Sequence, residues 1–345
     1  MSQGAEESAS EEARSAATRK LSGRRTRSHL WLPAAIAVLF AAIALGAYIG
    51  PSGAISSANW DLVWQVRMPR VVLAGLVGAM LSVSGASYQG AFRNPLADPY
   101  LLGVASGSGL GATIVFVVGR ANTGGWIIDP LPLASFIGGL LAVFFTYLIG
   151  AAFGSARSSV TLVLAGVAVT SLTTAIQTFV LYRNSAVIRE VYSWILGRLN
   201  TATWSDVRLV TPYIVGSCVV LLLHRRQLDV LRVGDDEAAS LGMRVARVRL
   251  IVVVAATLGT AAAVSVSGLI GFVGIVVPHA VRMLAGSSYR RLLPLTIVLG
   301  AAFLILTDIP GRVLNHGAET PIGVVTAFFG APFFIVVLMR RRLAH

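Results

Sequence analysis

Long apolar stretches that contain almost no charged side chain dominate this sequence. Most are close to the roughly 20 residues that an α-helix needs to cross a bilayer, and the charged residues gather between them. Only 12% of all residues are charged and 55% are hydrophobic, whereas soluble domains carry about 25% charged residues. Water would solvate such a surface poorly, so lipid is the expected solvent. The sequence therefore predicts an all-α polytopic membrane protein.

About ten apolar stretches are candidate transmembrane helices. Pro278 interrupts the eighth, which is therefore expected to be a bent or partial span. An even number of spans places both chain termini on the same side of the membrane. The candidates cover residues 30–50, 69–90, 100–118, 131–152, 160–182, 207–223, 248–268, 270–284, 292–308 and 321–339.

Small residues recur inside these stretches and predict close helix packing. Gly103, Gly107 and Gly111 form a tandem G-x-x-x-G pattern, and Gly78 and Gly85 share another stretch. In lipid, helices associate through close backbone approach rather than through the hydrophobic effect. A tightly packed bundle is the expected result.

The distribution of charge predicts the orientation. The formal net charge is +13, and basic residues are dense before the first stretch and after the last. Membrane proteins place such residues in the cytoplasm, so a multi-pass inner or plasma membrane protein with cytoplasmic termini is expected, not a nucleic-acid-binding protein. Residues 1–28 are polar and predict a disordered cytoplasmic tail. Residues 29–345 then form one transmembrane domain, with a cytoplasmic loop near 224–247.

Several kinds of chemistry have no signature in this chain. Lys20 is the only lysine, so no Walker A motif is present, and Cys218 is the only cysteine. The histidines have no metal-ligand spacing. No catalytic residue, bound cofactor or metal site is predicted, which disfavours an intramembrane enzyme. No charge lies near the centre of a predicted span, which disfavours an ion-driven secondary transporter.

Two polar regions are candidate contact surfaces. In the 224–247 loop, acidic residues 235–237 suit the start of a short helix and Gly242 suits its end, although an ordinary solvated loop would look similar. Arg67, Arg70 and Arg312 are predicted to lie on the opposite, outer side of the membrane, where basic residues are usually less frequent. They are suited either to an acidic partner or to lipid headgroups.

The chain resembles the FecCD-type permeases, which import iron–siderophores, haem and vitamin B12. The resemblance covers about four-fifths of the chain, from Arg67 onward, and rests on seven blocks in the same order. They are RMPRVVLAGLVGAMLSVSG (67–85), FRNPLADPYLLGVASG (92–107), LVLAGVAV (162–169), WILGRL (194–199), GDDEAASLGM (234–243), GLIGFVGIVVPHAVR (268–282) and ETPIGVVTAFFGAPFF (319–334).

This resemblance implies a type II ABC importer permease fold with ten spans. It also implies a homodimer, two cytoplasmic ATPase subunits that use ATP and Mg²⁺, and an extracytoplasmic substrate-binding protein. By similarity, Arg67, Arg70 and Arg312 receive glutamates of the binding protein. The segment that rests in the ATPase cleft matches Gly234, Asp235, Asp236, Glu237, Ala238, Ala239, Leu241 and Gly242.

The resemblance also implies two cytoplasmic gates. Asn94 and Leu96 match the first gate. Ser159 fits the second, a hydroxyl pair, but Val160 stands where its second hydroxyl is expected. The expected function is a non-catalytic permease for a metal chelate, with ferric siderophore as first choice and haem or cobalamin as alternatives. Uptake driven by an ion gradient without an ATPase would instead indicate a secondary transporter.

Overall fold

A computed structural model describes residues 31–50, 60–121, 129–152, 159–313 and 319–342. Their regular structure consists of α-helices with one 3₁₀ turn and one π-helical turn, which confirms the predicted all-α class. The predicted tail, residues 1–28, lies outside the described residues. The helices are α1 (Trp31–Tyr48), α2 (Trp60–Ala91), α3 (Val104–Ala121), α4 (Pro130–Ala152), α5 (Ser159–Arg183), α6 (Ile188–Ile195), α7 (Trp204–Leu223), α8 (Arg225–Leu231), α9 (Asp235–Ser240), α10 (Val245–Ser267), α11 (Val273–Ala285), α12 (Tyr289–Val313) and α13 (Ile322–Arg342).

Each predicted apolar stretch corresponds to one helix. Seven helices of the described chain are long and apolar enough to cross a membrane, and shorter apolar segments of α3, α11 and α13 match the other three stretches. The short eighth stretch is the 13-residue α11, which contains Pro278. Only residues 268–272 separate it from α10, and Gly268 and Phe272 both have positive φ angles there. The partial span is therefore bounded by a sharp turn.

Three helices form the centre of the bundle. Most residues of α2, α10 and α12 are buried, whereas α1, α4, α5 and α7 are largely exposed. The central helix α2 packs against α12, α10, α11 and α7. A helix that is apolar all round can be buried on every side, and in α2 small residues and serines fill the crowded surface.

Glycines allow the closest helix contacts. A Cβ at Gly107 of α3 would lie 2.3 Å from the carbonyl oxygen of Gly138 in α4, and the reverse distance is also 2.3 Å. On α2, a Cβ at Gly85 would lie 2.0 Å from the Gly274 oxygen. These contacts agree with the predicted tight packing. Gly103, however, precedes α3 and has a φ of +88°, so it shapes a turn rather than a helix face.

Two short helices were not predicted. The 183–206 region, which separates two predicted spans, contains α6, which buries Val191 and Trp194. The 224–247 region contains α8 in addition to the predicted short helix α9. Both are far below spanning length, so a search for long apolar stretches does not detect them.

The bundle has two polar ends. Arg70 and Ala91 lie 21 residues apart on α2, which corresponds to about 30 Å along a helix. That distance matches the hydrocarbon thickness of a bilayer. Polar contacts gather near both residues, and we name the two regions the Arg70 end and the Ala91 end.

Candidate partner-contact sites

A buried ionic cluster occupies the Arg70 end, and Asp308 of α12 is its centre. Asp308 accepts two hydrogen bonds of 2.8 Å from Nε and Nη2 of Arg70. It accepts two more from Arg312, at 2.8 Å from Nε and 2.6 Å from Nη2. The Nη1 atom of Arg70 donates to Glu319 at 2.8 Å. We call Arg67, Arg70, Asp308, Arg312 and Glu319 the arginine cluster.

The cluster also caps the end of α1. Arg312 Nη1 donates to the Gly46 oxygen at 2.7 Å, and Arg67 Nη1 donates to the Tyr48 oxygen at 2.8 Å. The last carbonyl groups of a helix lack partners within the helix and carry partial negative charge. Two guanidinium groups therefore satisfy this helix end and fasten α1 to α2 and α12.

The three arginines predicted from the resemblance to face a binding protein are buried in this chain. Arg67, Arg70 and Arg312 are 6%, 8% and 4% exposed, and each has partners inside the chain. They are thus not exposed cations at lipid headgroups, which was the alternative. Glu319 is the most accessible acid of the cluster, with 26% of its side chain exposed.

A polar cavity of about 70 Å³ adjoins the cluster, lined in part by Arg198 and Asn200. The buried Nε of Arg198 has no hydrogen-bond partner within the described part of the chain. Burial lowers the pKa of the Arg198 guanidinium, and Asp129 and Asp206 partly offset this effect. Asp308, Glu319 and Arg198 were not among the predicted site residues. The one feature of the sequence that could have identified Asp308 is its position as a charged residue at the end of a predicted span, 292–308.

The predicted short helix at the Ala91 end is confirmed as α9. Gly242 follows it with a φ of +82°, a conformation that favours glycine. The Gly242 N–H donates to Ala239, and the Met243 N–H donates to Ala238. This pair of bonds is a Schellman motif, which satisfies the last carbonyls of the helix. The predicted stop at Gly242 is therefore correct.

One side of α9 is buried and the other is exposed. Ala238 and Gly234 are buried, whereas Asp236, Glu237, Ala239 and Gly242 are exposed. Leu241 is 74% exposed, and Val233 just before the helix is 68% exposed. Two large apolar side chains are thus exposed at the two ends of the short helix, which makes this segment a candidate contact surface. All eight residues predicted to contact an ATPase thus lie on one compact segment.

Two carboxylates attach the short helices α8 and α9 to the bundle. Asp229 of α8 accepts hydrogen bonds from the Tyr289 N–H at 2.7 Å and the Ser288 hydroxyl at 2.8 Å, which caps the start of α12. Asp235, the first residue of α9, accepts two bonds from Nη2 of Arg249 on α10, at 3.0 and 2.9 Å. These bonds therefore tie α8 to α12 and α9 to α10, two of the three central helices.

The predicted gate residues Asn94 and Leu96 lie in the loop 92–103, also at the Ala91 end. The Asn94 Oδ1 atom accepts from the Leu96 N–H at 2.9 Å, which turns the chain so that Leu96 is 47% exposed. Gln89 of α2 holds the loop through a bond to the Ala97 oxygen. Ser159 is the first residue of α5. Its side chain lies outside the described atoms, and Val160 beside it is 64% exposed.

Within the described ranges, no three His, Cys, Asp or Glu side chains form a group that could hold a metal ion. The buried charges serve helix ends and short connecting segments.

Comparison with known proteins gives a consistent result. The chain is 40% identical over 282 residues to the cobalamin import system permease BtuC of Halobacterium salinarum, covering 82% of this chain and 74% of that protein. It is 38% identical over 292 residues to the hemin transport system permease HmuU of Yersinia pestis, covering 83% and 86%. It is 37% identical over 319 residues to YvrB, an uncharacterised ABC transporter permease of Bacillus subtilis, covering 91% and 87%.

A solved structure agrees with this relationship. A chain from an inward-facing metal-chelate type ABC transporter superposes with a TM-score of 0.81 at 30% identity, covering 90% of this chain and 98% of that one. The model of the FecCD transport family matches residues 29–340. With both the sequence and the fold in agreement, this chain belongs to the FecCD transport family.

Proposed function

We propose that this chain is the membrane-spanning permease of an ATP-driven importer for a metal chelate. The family match over residues 29–340 carries the proposal. The exposed short helix α9 supports it, because a permease needs a contact surface for a separate motor. ATP and Mg²⁺ would be used by the partner ATPase, and the permease itself would carry out no covalent chemistry and bind no cofactor.

The proposed assembly contains two copies of the chain, two ATPase subunits and one extracytoplasmic binding protein. Both termini and the Ala91 end face the cytoplasm, where α9 contacts the ATPase and where Asn94, Leu96 and Ser159 form the gates. The Arg70 end faces outward. Ferric siderophore is the proposed cargo, with haem and cobalamin as alternatives, since relatives are named for iron-hydroxamate, hemin and cobalamin.

The charges near the membrane support an ATP-driven importer over a secondary transporter. Ion-coupled carriers commonly keep an ionisable group inside the membrane as the coupling element. The buried charged side chains of the described residues lie at the two ends of the bundle. Arg249 is at one end, and the other end holds Arg67, Arg70, Asp308 and Arg312. Each is paired and serves a structural contact.

Reconstitution tests this proposal. Proteoliposomes that contain the chain with its ATPase and binding protein should take up a ferric siderophore, haem or cobalamin only when ATP is supplied. Omitting the ATPase should abolish uptake even when a proton or sodium gradient is imposed. Uptake under an ion gradient alone, or no ATP-dependent uptake of any of the three cargo classes, would refute the proposal.

Docking of the binding protein depends on Arg70 in this proposal. A substitution of Glu319 tests this role without replacing Arg70 itself. Glu319→Gln should leave the Asp308 contacts intact and remove the negative charge that competes with a partner carboxylate for Arg70 Nη1, so the affinity for the binding protein at low salt should rise several-fold. Asp61→Asn is the matched control, because it removes one exposed acid near the start of α2. Surface plasmon resonance with the permease in nanodiscs measures the affinity of both variants for the binding protein. Equal effects of the two substitutions, or no effect, would exclude Arg70 from docking.

A further inference from the structure

The acid that begins α9 is turned toward the bundle. Both Asp235 oxygens accept from Nη2 of Arg249, whose side chain is 5% exposed. The Nε atom of the same guanidinium donates to the Ala91 oxygen at 2.9 Å, where α2 ends. One buried arginine on α10 therefore joins the start of α9 to the end of α2.

A second arginine extends this contact into the loop 92–103. Arg93 Nε lies 3.8 Å from Asp235 Oδ1. Arg93 also has a φ of +50°, because it closes α2: its N–H donates to Gly90 and the Asn94 N–H donates to Gln89. Glycine is the usual residue at this position. An arginine there accepts an unfavourable backbone conformation, which points to a use for its side chain.

We propose that Arg93, Asp235 and Arg249 are positioning residues that couple α9 to the loop bearing Asn94 and Leu96. This inference rests on the proposed function, in which an ATPase displaces α9 and Leu96 belongs to a gate. Asn94 directly follows Arg93, so movement of Asp235 reaches the gate loop through two guanidinium contacts. We call these three residues the coupling triad.

Uptake per ATP hydrolysed is the quantity that tests the triad. In the reconstituted importer, Arg93→Gln, Asp235→Asn and Arg249→Gln should each lower uptake per ATP at least threefold, while the ATPase stays bound and hydrolysis continues. Arg93→Gln is the variant safest for folding, because its side chain is 48% exposed. Arg247→Gln is the matched control: it removes the same charge from an exposed site two residues before Arg249.

Cysteine labelling reports the movement itself. In a Cys218→Ala background, the reactivity of Leu96→Cys toward a membrane-impermeant maleimide should change when ATP and vanadate are added. Adding Arg93→Gln should remove this change, and adding Arg247→Gln should not. A purely structural role would leave the nucleotide response in place.

The outcomes separate this inference from the proposed function. Unchanged uptake per ATP in the triad variants, or uptake and hydrolysis that fall in proportion, would overturn the triad while wild-type transport still stands. A wild-type complex without ATP-dependent uptake would overturn both. Should Arg249→Gln fail to assemble, Arg93→Gln and Asp235→Asn decide the question.

Discussion

Replacing Asp308 with alanine is expected to lower the free energy of unfolding by about 3–5 kcal/mol, the usual cost of removing one partner from a buried ion pair. Its carboxylate accepts four hydrogen bonds from Arg70 and Arg312 and is 2% exposed. Without it, two guanidinium groups remain buried. Arg70 would keep Glu319, and Arg312 would keep the carbonyls of α1. These remaining contacts do not replace a carboxylate shared by both.

Thermal unfolding of the purified chain in detergent measures this effect. Asp61→Ala, at an exposed acid near the start of α2, controls for the loss of one negative charge. Asp308→Asn should fall between wild type and Asp308→Ala, because its amide oxygen still accepts hydrogen bonds. Melting temperatures for Asp308→Ala and Asp61→Ala that agree with wild type would show that the cluster adds no stability.

The arginine cluster joins residues that lie far apart in the chain. The three arginines were recognised individually, but Asp308 lies 238 residues from Arg70 in the chain, and Glu319 lies 249 residues away. Pairing over such a distance depends on which helices become neighbours. No local pattern encodes that choice, so the burial of Arg67, Arg70 and Arg312 could not be predicted.

Features that depend on local chemistry were predicted well. Apolar stretches of spanning length gave the ten main helices, because the backbone in lipid must satisfy its hydrogen bonds internally. Acids at 235–237 and Gly242 correctly bounded α9, because helix ends have strong local preferences. The turn at Gly103 was misassigned, because G-x-x-x-G spacing does not show where a helix begins.

Asp235 also shows the difference between local features, which the sequence predicts, and contacts between helices, which it does not. The family resemblance implied that Asp235 contacts an ATPase, whereas in the structure its side chain points toward Arg249 and the end of α2. An exposed helix and an inward-facing first residue are compatible. One helix can contact a motor through its outer face and the bundle through Asp235, which is the arrangement that coupling requires.

Leu241→Asp is expected to weaken association with the ATPase by about tenfold or more, which corresponds to about 1.4 kcal/mol. Leu241 is 74% exposed just after α9, and Val233, just before the helix, is 68% exposed. An apolar side chain in a protein contact is desolvated on binding, and a carboxylate at the same place would be buried without a partner. ATP-dependent uptake should fall with the affinity.

Binding of the ATPase subunit to the permease in nanodiscs measures this loss, and Leu241→Met is the matched control because it keeps an apolar side chain of similar size. The melting temperature of the permease alone should match wild type for both variants, since the exposed Leu241 side chain contributes little to the fold. An ATPase affinity for Leu241→Asp within twofold of wild type would exclude this face of α9 from the contact. The ATPase would then have to contact the bundle through another part of the Ala91 end. It would no longer displace α9, so the coupling triad could not transmit its movement.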